Sequence, residues 1–191
     1  MQIKFGITAL MCGLLAACLA PEQFVASAVV HADGTYDYVY SGTVAYVPAV
    51  EKLKQTGTLS PKDNADLRAE AAKATRPGEQ FSYAGNGRFS ANIKRTLKIG
   101  QPDSSAMPIF SSSRAPDGVI TLSSISLNPK DADGLAQLGI KINGTLEVTL
   151  PIGAQVVAQN ANSTPGLFNK AYVWKIASFT ERPVIRFKLI K

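Results

Sequence analysis

Alternation of apolar and polar residues with period two dominates this chain, in short runs broken by Gly, Pro, Asn and Asp. Such runs predict half-buried β-strands, because successive side chains on a strand point to opposite faces. Residues 23–46 hold two runs rich in Val, Thr and Tyr around Ala32-Asp33-Gly34-Thr35, and an Asp-Gly pair in that setting predicts a β-hairpin. Along its second strand Tyr36, Tyr38, Tyr40, Val44 and Tyr46 share one face, while Asp37, Val39, Ser41 and Thr43 share the other. Each tyrosine offers a flat apolar ring with a polar tip, so this row suits either an amphipathic ligand or the covering of a helix.

The alternation returns at residues 88–99, where Phe89, Ala91, Ile93, Leu97 and Ile99 point one way and Arg95 interrupts their row. Ser90, Asn92, Lys94, Thr96 and Lys98 point the other way and give that strand a basic outer face. In residues 119–127, Ile120 and Leu122 are out of phase with Ile125 and Leu127, and a β-bulge at Ser123-Ser124 would return all four to one face. Further strands are predicted over 140–150, 155–158, 172–176 and 184–190, and 104–115 reads as a short strand or loop. Ser60-Pro61-Lys62-Asp63 has the N-cap, first-turn proline and acidic third residue of a helix start, and Arg76-Pro77-Gly78 stops that helix. Asn128-Pro129-Lys130-Asp131 reuses the same capping chemistry for a short helical turn through Gln137. About eight strands around one main helix predict an α+β fold, a mainly antiparallel and strongly bent sheet with that helix packed on it.

Composition removes most chemistry. The only cysteines are Cys12 and Cys18, and the only histidine is His31. One imidazole cannot build a multi-histidine metal site, and His31 reads as a solvated residue at a strand end. No serine stands three residues before a lysine, so that nucleophile pair is absent as well. Asp131-Ala132-Asp133-Gly134 lacks the later ligands of a calcium loop. The expectation is therefore a protein with no catalytic residue, no metal and no cofactor, although a hydrolase built on carboxylates alone cannot be located without a fold. The net charge of +6 is compatible with nucleic acid or with anionic headgroups. Nucleic acid is disfavoured because the chain lacks RNA-recognition, zinc-finger and basic-helix signatures.

The N-terminus gives a location. Lys4 precedes an apolar run over residues 5–17 that is too short to span a bilayer, which is signal-peptide architecture. Leu15-Ala16-Ala17-Cys18 closes it and resembles a bacterial lipobox, whereas Cys12 follows Met11 and does not. The resemblance implies a diacylglycerol on the Cys18 sulfur, removal of the leader and acylation of the new amine, which together give a stable anchor. Loss of Lys4 leaves 19 basic against 14 acidic side chains, a net +5. The expected organisation is a signal peptide over 1–17, a lipidated Cys18 with a short tether over 18–22, and one domain over 23–191. Leu19 is not the aspartate that retains lipoproteins at the inner membrane in enteric bacteria, which favours the periplasmic face of the outer membrane.

A wider resemblance rests on Gln23-Phe24-Val25-Ala26-Ser27, the segment from Ala32-Asp33-Gly34 to Tyr40-Ser41-Gly42, Asn143-Gly144-Thr145-Leu146-Glu147-Val148, the Asn160-Ala161-Asn162 turn, Trp174 and the strand after Pro183. These resemble a family of uncharacterised proteobacterial lipoproteins, and the C-terminal block looks like the end of the LppM-like lipoprotein domain. Those relatives usually carry an acidic residue where this chain has Thr43. The LppM-like resemblance implies glycolipid binding at the cell envelope, and the anchor, the tyrosine row and the basic strand faces predict a non-enzymatic envelope lipoprotein that binds a lipid or glycolipid at the membrane surface, with Tyr36, Tyr38, Tyr40, Tyr46 and Trp174 as candidate ligand residues. The alternative is a structural or assembly lipoprotein that docks onto an envelope protein complex through a strand edge or the loop over residues 160–169.

Overall fold

The structure, a computed structural model, describes residues 18–101 and 109–190, so the expected leader over 1–17 lies outside the described residues. In chain order these hold β1 (Leu19–Val30), β2 (Thr35–Tyr46), α1 (Val47–Thr56), α2 (Pro61–Ala74), β3 (Gln80–Gly85), β4 (Arg88–Lys98), β5 (Phe110–Arg114), β6 (Ile120–Ser124), α3 (Pro129–Gln137), β7 (Asn143–Thr149), β8 (Gln155–Gln159), β9 (Ala171–Ile176) and β10 (Val184–Lys188). Six strands form one sheet in the order β3-β4-β2-β1-β7-β9, and four form a second in the order β5-β6-β10-β8. The strand pairs are antiparallel except β1 with β7. The fold is α+β and mainly antiparallel, as expected, but the strands divide between two sheets instead of bending as one.

The opening hairpin forms where the Asp-Gly pair places it. The Asp33 carboxylate accepts from the Thr35 N–H at 2.9 Å and from its hydroxyl at 2.7 Å, while Gly34 takes φ 86°. Register then sets Ala26 opposite Tyr40 and Ala28 opposite Tyr38, so small side chains on β1 leave room for large rings on β2. Tyr36, Tyr38 and Tyr40 are at most 1% exposed. The second sheet supplies cover that the helices alone do not: Phe110, Ile120, Leu122, Ile185 and Phe187 join the same buried cluster as Leu67 and Ala71 of α2, and Tyr38 meets Phe110 edge-on at 6.2 Å. Each such ring removes enough apolar area from water to stabilise the fold by roughly 1.5–3 kcal/mol.

Several expectations shift. The bulge at Ser123-Ser124 does not form, because β6 ends at Ser124 and the change of phase marks the chain leaving the sheet. A register shift lies instead between Pro21 and Phe24 on β1. Opposite it stands Gly42, where a β-carbon would fall 2.2 Å from the Gln23 carbonyl oxygen and 2.6 Å from the Phe24 Cα. Of the tether expected over 18–22, residues 19–22 are strand, since β1 begins at Leu19. Helix α1 and strand β3 were not expected at all, although each had a signal. Pro48 opens α1 and Gly57 closes it at φ 77°, and Asn86-Gly87 joins β3 to β4 with φ 52° and 73°, the hairpin turn that favours that pair.

The helix over Pro61–Ala74 does begin with a reciprocal capping box between Ser60 and Asp63. The Lys52 ammonium, 2.8 Å from Asp63, and the Ser60 hydroxyl hold that carboxyl down at about 2 and join α1 to α2. Leu67 and Ala71 are the buried residues of α2, so it packs shallowly over β3, where Tyr83 donates to Asn64 at 2.7 Å. Arg95, the break in the β4 row, is explained by a partner: its guanidinium makes two bonds of 2.6 and 2.9 Å to the Glu79 carboxylate, both side chains largely buried.

Candidate functional site: an apolar cavity at the Cys18 end

Where the strands run out at the start of β1, the sheets stop meeting and leave a cavity of about 390 Å3. That volume lies in the lower part of the ~300–1,000 Å3 range of small-molecule sites. Its walls come from many short segments. Cys18, Leu19, Pro21 and Phe24 contribute from the start of the first strand, Leu146 from β7 and Ile176 from the end of β9. Val47 and Leu135 add one residue each from α1 and α3, and Ile125, Leu127 and Phe179 come from connections. Ser124, Ser178 and Glu181 are the polar hydroxyls and carboxylate among the lining side chains. Apolar walls with a few polar groups suit the acyl part and the polar head of an amphipathic molecule.

Local bonds hold these walls. The Ile125 N–H donates to the Ile109 carbonyl at 3.3 Å, the Leu127 N–H to that of Phe179 at 2.8 Å, and the Ser124 N–H to that of Pro183 at 3.0 Å. The Glu181 carboxylate accepts from the Ala177 N–H at 3.0 Å and closes the turn that presents Phe179. Phe24 forms a second wall because glycine permits it: a β-carbon on Gly144 would stand 2.2 Å from the Phe24 ring. Behind Phe24, the Tyr40 ring stacks at 5.5 Å and its hydroxyl donates to the Thr43 carbonyl at 3.0 Å. Burial raises the Tyr40 phenol well above its ordinary value.

The candidate ligand residues lie elsewhere. Tyr36, Tyr38, Tyr40 and Trp174 are core residues, and neither they nor Tyr46 line the cavity. Trp174 serves as a clamp, its indole N–H donating at 2.8 Å to Asn160, which also accepts from the Val184 N–H and donates to the Arg182 carbonyl. Tyr46 is half-buried, and burial raises its phenol above the ordinary value. Cys18 alone of the predicted site residues lines the cavity. The walls missed by the sequence reading had one signal, the phase change that separates Ile125 and Leu127 from Ile120 and Leu122.

Elsewhere His31 sits 3.1 Å from Asp37, each side chain about two-fifths exposed. The Asp37 carboxyl is lowered by the Thr96 hydroxyl at 2.7 Å and by His31. Among the described residues no group of three or more His, Cys, Asp or Glu side chains is placed to hold a metal ion, and no helix is long and apolar enough to cross a membrane.

No protein-family model matches the chain, and no curated protein matches it. Among solved structures it is similar to the NMR structure of the folded domain of LppM from Mycobacterium tuberculosis. The two share 12% identity at a TM-score of 0.43, over 90% of this chain and 92% of that one. That is a distant likeness of fold.

Proposed function

We propose that this chain is a non-enzymatic envelope lipoprotein whose cavity holds the apolar part of a lipid or glycolipid beside the membrane to which Cys18 is anchored. The observation that carries the reading is that Cys18, the lipobox cysteine, is itself a wall of the apolar cavity. With β1 starting at the next residue, a lipid on Cys18 leaves almost no slack between the membrane surface and the cavity. An amphipathic molecule could then pass between bilayer and protein with little exposure of its acyl part to water, which is the costly step of such a transfer. The polar groups Ser124, Ser178 and Glu181 offer hydroxyls and a carboxylate to a head group. The proteobacterial lipoprotein resemblance of the opening hairpin and a position at the periplasmic face of the outer membrane belong with this reading.

Mass spectrometry tests it. The denatured mass of the chain purified from a bacterial envelope in mild detergent gives the covalent lipid, and the native mass shows whatever else is held. The expected result is a stoichiometric lipid adduct beyond the covalent one, absent from Leu127→Trp. A native mass equal to the denatured mass, with circular dichroism showing an intact fold, overturns the lipid reading and leaves docking to an envelope protein as its successor.

A further inference from the structure

The far end of the sandwich carries the most exposed large apolar side chains among the described residues: Ile152, Leu167, Phe168 and Ile190, at 107, 97, 102 and 66% of full exposure. They come from three separate segments that the strand register brings together. Thr149 of β7 pairs with Ala171 of β9, so the turn after β7 that holds Ile152 and the loop before β9 that holds Leu167 and Phe168 leave the sheet at one end. Lys188 of β10 pairs with Gln155 at the start of β8, which puts Ile190 at that end too. It is opposite Cys18, because β7 runs parallel to β1 and Thr149 pairs with Val29 near the end of that strand. The 12 residues of β1 separate the two ends by roughly 35–40 Å.

Charge says what this corner meets. The segments over 150–155, 163–171 and 186–190 contain Lys170, Arg186 and Lys188 and no Asp or Glu. The neighbouring turns at this end carry Asp33 and Asp117, but the segments that hold the apolar tips bring only cations. Apolar side chains beside cations of their own segments are complementary to an anionic bilayer surface, where the tips enter the acyl boundary and the cations stay with the headgroups. We propose that this corner is a second membrane contact, inserted into the same bilayer that holds Cys18, so that the sandwich lies along the membrane instead of standing on its anchor. The proposal rests on the lipoprotein reading of Cys18. A covalent anchor makes the second contact intramolecular, so even weak insertion is populated at the high effective concentration that tethering supplies.

The lipidated mature chain has no free thiol, so Phe168→Cys introduces one that takes an environment-sensitive fluorophore. The labelled protein is reconstituted into vesicles of phosphatidylethanolamine and phosphatidylglycerol, with and without brominated lipid. The expected result is blue-shifted emission, most of it quenched by the brominated acyl chains, and a return to aqueous emission when Ile152→Asp and Leu167→Asp are added. Aqueous emission from the labelled single variant overturns the proposal. So does quenching that appears only when a second, brominated vesicle population is mixed in, which would place the contact in trans. The intact mass separates the two readings: a chain without lipid on Cys18 overturns the anchor, whereas a lipidated chain with a water-exposed fluorophore overturns the second contact alone.

Discussion

Two apolar regions of this molecule meet at Phe24, which stacks on Tyr40 on one side and walls the cavity on the other. The tyrosine row comes from one strand, keeps strict period two, and is closed by a second sheet that leaves its three leading rings at most 1% exposed. The cavity wall is assembled from the starts and ends of strands, two helices and several connections, and no single period runs through it. The difference lies in what each arrangement can fill. Regular rows from two facing sheets interdigitate and exclude everything else. Segments that arrive from different directions at the place where strands stop cannot interdigitate, and a space remains. A row of aromatic residues with polar tips is therefore a poor indicator of a ligand site when a complementary sheet exists to cover it.

The comparison breaks most visibly if a ring is removed from the regular side. Tyr38→Ala is expected to cost about 3–5 kcal/mol, as for other buried aromatics, in equilibrium denaturant unfolding. A loss below 1 kcal/mol would mean that the second sheet does not close over the row. Glu79→Ala is expected in the same range, about 3–5 kcal/mol, because it leaves the Arg95 guanidinium in a largely buried site without the carboxylate that accepts two of its hydrogen bonds. Glu79→Ala combined with Arg95→Leu should recover much of that loss, which a cycle of the two variants would measure.

How much of this was legible follows the same division. The hairpin, the capping box at Ser60, the basic outer face of β4 and most strands after residue 140 were readable because each depends on neighbours close in sequence. The role of the tyrosines was not, since Phe110 and Phe187 reach them only through long-range pairing of sheets. Arg95 was visible as an exception in its row, but its partner Glu79 lies 16 residues away, before a strand that was not expected. Asn86-Gly87 and the Pro48 to Gly57 span carried local signals for β3 and α1 that strict alternation elsewhere overshadowed. The cavity was illegible as a whole, since a space is defined by which segments fail to meet.

At the boundary between the regions, Gly144→Ala sets a β-carbon 2.2 Å from the Phe24 ring. Overpacking of this kind costs about 1–3 kcal/mol. Because Phe24 belongs to both regions, the ring must press either toward Tyr40 or into the cavity. Expected is a moderate drop in unfolding midpoint together with weaker binding of a fluorescent fatty acid. A drop in midpoint with unchanged binding would show that the strain is relieved on the tyrosine side.

The smallest effect on stability is expected where the effect on binding is largest. Ile125 is 56% exposed and follows the last residue of β6, so its side chain contributes little to the folded state while forming part of the cavity wall. Ile125→Trp should change stability by no more than about 0.5 kcal/mol, as for substitutions away from buried features. The added ring nevertheless has room chiefly toward the cavity or toward solvent, and burial of its apolar area favours the cavity. A titration with the same fluorescent fatty acid should then show binding lost with the unfolding midpoint unchanged, the reverse of the pattern expected for Tyr38→Ala. If both variants lose binding only in proportion to the stability they lose, the cavity and the tyrosine row are one cooperative core, and the division between them drawn from sequence period disappears.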